Sequence, residues 1–181
     1  MRTLTRTTAA LGAAGLVVTG LVAASPANAT TSTRVVELTV TEVQTSFDQS
    51  WGNHDIPRAG DHFHFTSNLR DAGHRVGKDS GTCTFERING DSNNPTSAKV
   101  KCDVTFRFFR YGALEAVGTK TISWHRFVNS DFDVTIPIVD GTNRFVNAEG
   151  TVRNQQQSET RAFLTFKLTG EKCRSTDSLC G

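Results

Sequence analysis

Gly60 to Cys83 reads GDHFHFTSNLRDAGHRVGKDSGTC, two extended segments punctuated by glycine and ending in a cysteine. In its first half Phe63, Phe65 and Ser67 alternate with His62, His64 and Thr66, and Asp61 falls on the phenylalanine side. A period of two is that of a strand with one buried face. In the second half Arg75 and Asp79 bracket Gly77, and Gly81 precedes Cys83 by two, which predicts tight turning between extended runs.

The same period runs through the rest of the chain. Val36, Leu38 and Val40 share a face that Glu42 and Gln44 continue, against Glu37, Thr39 and Thr41. Val100, Cys102, Val104, Phe106 and Phe108 oppose Lys99, Lys101, Asp103, Thr105 and Arg107. Strands are therefore expected over 34–45, 62–68, 81–88, 99–109, 113–125, 132–139, 150–154 and 161–169, about eight in all. Asn89-Gly90, Tyr111-Gly112 and Asp140-Gly141 supply turn residues that tolerate positive φ. Residues 46–59 read as a loop, Arg144 to Ala148 as the one stretch capable of a helical turn, and Pro137 as a residue at a sheet edge or bulge. Antiparallel strands in this number form a barrel or a sandwich, and periodicity leaves both open.

Arg2 and Arg6, the apolar run Ala9 to Ala24 and the small residues Ala27-Asn28-Ala29 have the order of a secretory signal peptide. Residues 1–29 are expected to be removed, with no membrane anchor after cleavage, and residues 30–181 to form a single domain of 181 − 29 = 152 residues. The formal charge of +2 is carried by the two leader arginines, so the exported part balances 18 basic against 18 acidic side chains. A neutral chain without a basic patch argues against nucleic acid as partner. All four cysteines lie in the exported part, where an oxidising compartment favours disulfides. Three pairings are possible; Cys83–Cys102 suits neighbouring strands, and Cys173–Cys180 would close a loop in the tail.

The ordered set Val35-Val36-Glu37-Leu38-Thr39-Val40-Thr41-Glu42-Val43, Gly60-Asp61 with Phe65, and Arg75-Val76-Gly77-x-x-x-Gly81-x-Cys83 resembles the allene oxide cyclases. The later run Asp140-Gly141-Thr142-Asn143-Arg144-Phe145-Val146-Asn147-Ala148-Glu149-Gly150-Thr151-Val152 resembles a glycine-rich motif that those enzymes share with plant dirigent proteins. The resemblance implies an all-β fold, an eight-stranded antiparallel β-barrel with an apolar cavity, and a trimer as the common assembly. It also implies a small hydrophobic ligand and a cyclisation or isomerisation that needs no cofactor. Such a cavity acts as an entropy trap aided by a few polar groups.

By that resemblance Glu42 stands where the family has its cavity glutamate; a buried carboxylate there calls for a polar partner, and the alternative is a partly solvated place at the barrel mouth. Gln44 and Ser67 stand where the cyclases carry asparagines, and Trp51 falls nearest the position of a proline that helps hold a catalytic water. Cys83 matches a cavity cysteine whose thiol the bridge to Cys102 would remove. These departures argue against allene oxide cyclisation itself. Gln44, Phe63, Phe65, Ser67 and Phe106 are the expected ligand-binding residues, and Asp61 and Asp71 are further acid–base candidates beside the turn-stabilising role usual for Asp. Trp51, Trp124 and Tyr111 could line a pocket mouth. His62 and His64 have a metal-compatible spacing, but no third ligand completes a site, and no metal is expected. Ser67, His64 and Asp71 could be drawn as a hydrolase triad, without a nucleophile elbow to support it. The alternatives to a stereochemical guide are a lipocalin-like carrier and an exported structural or interaction barrel packed solid.

Overall fold

The computed structural model describes residues 35–52 and 55–169. Eight strands, β1 (Val35–Gln49), β2 (His62–Asp71), β3 (His74–Asp91), β4 (Asn94–Phe108), β5 (Gly112–Ser123), β6 (Asp133–Gly141), β7 (Glu149–Ser158) and β8 (Arg161–Thr169), pair in sequence order, and β1 pairs with β8 to close an antiparallel barrel. One short helix, α1 (Trp124–Val128), joins β5 to β6, and a 3₁₀ turn (Asn143–Phe145) joins β6 to β7. Among the described residues no helix is long and apolar enough to cross a membrane. The leader and the Cys173–Cys180 pairing lie outside the described residues.

The strands run longer than the alternating segments suggest, for reasons visible in the ladders. β1 continues through Gln49 because a bulge at Thr45 lets the chain resume pairing with β2, and Thr45 Oγ1 ties the bulge to the Thr66 carbonyl at 3.0 Å. The extra residue resets the alternation. Gln44 before the bulge and Phe47 and Gln49 after it all face the lumen.

The expected turn within Arg75–Gly81 does not form. The chain reverses earlier, at Ala72 (φ 45°) and Gly73 (φ 85°), and His74 to Asp91 is one strand. Gly77 and Gly81 are glycines through close approach: a Cβ would sit 2.4 Å from the Arg107 carbonyl oxygen at one and 2.7 Å from the Phe65 ring at the other. Arg75 and Asp79 do not pair, since the guanidinium lies outside over the Phe109 ring at 5.3 Å and Asp79 is buried.

Trp124 and His125 read as the end of a strand yet open α1, capped by the Ser123 side chain, which accepts from the Arg126 amide at 3.2 Å. The i, i+3 spacing of Trp124 and Phe127 stacks their rings 5.6 Å apart, and both pack on the cluster around Phe85 and Val100. Pro137 pairs with Thr151 on β7, but its β5 side lies past the last β5–β6 pair, Ala116 with Ile138, where no ladder bond needs its missing N–H. Gly141 does not take positive φ; Asn143 does (φ 56°), while Gly141 admits the Phe145 carbonyl oxygen, 2.2 Å from where a Cβ would lie.

Large side chains fill one end of the barrel. Phe106, Phe108, Phe145 and Phe166 interlock with centroid distances of 5.0 to 5.6 Å, above Leu69, Leu114 and Leu168. The other end is ringed by Trp51, Phe63, Phe85 and Phe127. A cavity lies between the two clusters.

Candidate functional site

The cavity has a volume of about 580 Å³, within the range of small-molecule sites, so the barrel is not packed solid. Its wall is mostly apolar: Phe63 and Phe65 from β2, Val100, Val104 and Phe106 from β4, Val134 and Ile136 from β6, Leu164 from β8. Each faces inward by the two-residue period of its strand. The Cys83–Cys102 disulfide forms between directly opposed residues and is part of this wall, so neither sulfur is a free thiol.

Into this surface the barrel sets two carboxyl groups. Glu42 is 8% exposed and Asp79 is 2% exposed, and both line the cavity. Register explains the meeting: Ser67 on β2 is the cross-strand partner of Gln44 on β1 and of Asp79 on β3, which leaves Glu42 one inward position away. Ser67, 2% exposed, donates its Oγ hydrogen to Glu42 Oε1 at 2.8 Å. Among the described residues no donor is placed to hydrogen-bond either oxygen of Asp79.

The electrostatics follow. Burial raises the Glu42 pKa, opposed by the bonds from Ser67 and Asp79. Burial, and then the nearby Glu42 charge, push Asp79 up to about 8. At neutral pH the pair therefore holds a proton between its two carboxyl groups. The outcome is a carboxyl pair that holds a proton in a greasy chamber.

The structure separates the other candidates. Gln44, Phe63, Phe65 and Phe106 line the cavity, and Ser67 reaches it through Glu42. Asp61 is a turn residue, its Oδ2 accepting the Arg58 amide at 2.6 Å, and Asp71 is exposed at the end of β2; neither lines the cavity. His62 and His64 lie on the outer face with rings 4.9 Å apart, and His64 Nδ1 bonds the Thr82 hydroxyl at 2.7 Å. Ser67 faces the lumen from the opposite side of the same strand, so Ser67, His64 and Asp71 cannot form a triad. Trp51 lines the cavity; Trp124 supports Phe127 from behind, and Tyr111 packs at the filled end.

Asp79 is the residue sequence reasoning missed. It shares the parity of Cys83 and Phe85, both inward, and only the expected turn at Gly77 hid that signal. Asn154, inward on β7, was equally overlooked.

No protein-family pattern matches this chain, and no curated protein matches it. Among solved structures, a pyocyanin demethylase superposes with a TM-score of 0.62 at 21% identity, over 74% of this chain and 100% of that one. The Diels Alderase AbmU from Streptomyces koyangensis gives 0.58 at 19% identity, over 83% of this chain and 76% of that one. The pterocarpan synthase dirigent protein PsPTS1 gives 0.53 at 14% identity, over 75% and 94%. The fold is that of the cyclase and dirigent barrels. At these identities the likeness extends to the fold alone.

Proposed function

We propose that the barrel binds a small, largely apolar molecule and directs its cyclisation or isomerisation, with the Glu42–Asp79 pair as base and acid. The observation that carries this reading is the buried pair itself, two carboxyl groups on the wall of an apolar chamber whose pKa values burial raises. Glu42, held in place by Ser67, takes a proton from the bound molecule, and Asp79 gives its own to an oxygen that becomes basic as bonds rearrange. The new proton passes from Glu42 to Asp79, so the pair ends as it began and the product is an isomer of the substrate. Positioned acid–base groups of this kind accelerate reactions by about 10²–10⁴, and the walls add the conformational restriction. Export from the cell through residues 1–29 belongs to the same reading, and the Cys83–Cys102 disulfide suits an oxidising compartment.

Native mass spectrometry of the protein taken from its producing culture's medium tests the proposal. A bound molecule is expected, which the wild type converts to a species of equal mass and altered retention, and which Glu42→Gln binds but returns unchanged. Return of the ligand unchanged by the wild type would make the barrel a carrier. An empty protein that also excludes apolar dyes would sink the cavity reading altogether.

A further inference from the structure

Among the described residues one buried side-chain oxygen outside the acid–base pair has no hydrogen-bond partner. Asn154 Oδ1 is shielded from solvent, and no donor among the described residues reaches it. Asn154 follows Val152 on the inward face of β7 and lines the cavity.

Its place relative to Asp79 follows from the ladders. In a closed barrel of eight strands in sequence order, β3 and β7 stand diametrically opposite. Paired residues traced from Asp79 through Ser67 and Gln44 in one direction, and through Phe106, Leu114 and Gly141 in the other, arrive at the two ends of β7. Asp79 is therefore level with the middle of that strand, where Val152 and Asn154 face inward. Strand spacing and tilt put opposing backbones of such a barrel about 16 Å apart. The lumen thus carries an acidic pair on one wall and, on the facing wall beside Gln156, an unpartnered amide acceptor, with apolar side chains between.

A buried acceptor left without a donor is unfavourable, and water entering the empty cavity would relieve it. A ligand that fills the cavity displaces that water and must replace its hydrogen bonds or bind weakly. We propose that Asn154 is a specificity residue: the cavity selects a flat or extended apolar molecule carrying a hydroxyl or N–H group, which donates to Asn154 Oδ1 while the reacting end lies at Glu42 and Asp79. This rests on the reading that the cavity takes a ligand.

Three rigid probes separate the two ideas: a naphthalene bearing hydroxyls at its two far ends, its monomethyl ether and its dimethyl ether, each titrated by quenching of Trp51, which lines the cavity. For the wild type the diol is expected to bind roughly tenfold or more tighter than the monoether, the cost of an unmade buried hydrogen bond. In Asn154→Leu that ratio should collapse towards one, and in Asn154→Ala likewise, so that a folding defect in either variant leaves the other to read. A ratio unchanged in the variants, or ethers that bind the wild type as tightly as the diol, would overturn the role of Asn154 while leaving the cavity reading standing. Failure of all three probes to bind would overturn both.

Discussion

Replacing Asp79 by asparagine tests the proton on which the site depends. The side chain keeps its shape and stays neutral at every pH, so it mimics the protonated form. The wild-type carboxyl has its pKa raised from 3.8 to about 8 by burial and by Glu42. With the folded value above the unfolded one, the native state binds more protons between those limits, and stability must fall as pH rises through the window. Each tenfold difference in proton affinity between the folded and unfolded chain is worth about 1.4 kcal/mol. With the first part of the loss complete by pH 5, about 4 kcal/mol separates pH 5 from pH 9 on account of this group. Asp79→Asn lacks that loss. Its urea stability should exceed that of the wild type by about 2 kcal/mol at pH 5 and by about 4 kcal/mol more at pH 9, the added gap being equivalent to roughly 10 °C in Tm for a domain of this size. Glu42→Gln removes the second cause of the raised pKa and leaves the first, so the wild-type inflection should move to lower pH without vanishing. Parallel pH profiles for wild type and Asp79→Asn would refute the reasoning and show that Asp79 is ionised and hydrated.

Other outcomes follow from the same contacts. Ser67→Ala removes the hydroxyl that donates to Glu42 Oε1 and should raise the pKa of Glu42 further, so the acidic limb of the turnover–pH profile should move to higher pH; an unmoved limb would count against Ser67 as a positioning residue. The double substitution Cys83→Ala with Cys102→Ala opens a link of sequence separation 19 and should lower stability by about 3 kcal/mol in urea titrations, with the barrel still folded by near-ultraviolet circular dichroism. Gly150→Ala should be more damaging than any surface change, because the residue sits at φ 141° and its Cβ would lie 1.9 Å from the Lys167 carbonyl oxygen; a soluble variant with wild-type melting would contradict that geometry. Peptide mapping without reduction should return Cys83 linked to Cys102 and Cys173 linked to Cys180, and a link from Cys83 to the tail would overturn both assignments.

What could be read without coordinates was whatever the two-residue period controls. Val36 to Gln44 and Val100 to Phe108 face as their alternation says, because a strand whose neighbours are fixed on both sides has no freedom to present its polar face to the core. The period fails where the chain departs from it locally. At Thr45 the bulge shifts Phe47 and Gln49 into the lumen, and a reading that assumes unbroken alternation stops there and finds a loop. At Trp124 the aromatic residues have strand propensity, but Ser123 caps a helical turn, and the rings of Trp124 and Phe127 stack on each other against the cluster at the barrel end. Glycines were read as turn formers, whereas Gly77, Gly81 and Gly141 serve neighbours that come too near for a side chain.

The same distinction explains why half of the acid–base pair was legible. Glu42 interrupts an apolar face, and an acidic residue on such a face draws notice. Asp79 lies between Gly77 and Gly81, among small residues that carry no hydrophobic pattern for it to interrupt. Those small residues are what admit it: with Gly81 leaving room for the Phe65 ring and Gly77 for the β4 backbone, β3 lies close against both neighbours. A bulkier strand at this point would be pushed outward, and Asp79 with it, toward water and an ordinary carboxylate pKa. A Gly81→Val substitution should therefore lower the Asp79 pKa even though residue 81 bears no charge, because a side chain there would meet Phe65 and Val104 at 2.7 to 3.0 Å and force the wall apart. The pH dependence of unfolding reads the result: a Gly81→Val protein that still folds should lose less stability between pH 5 and pH 9 than the wild type, and an unchanged loss would mean that burial of Asp79 does not depend on the glycines beside it.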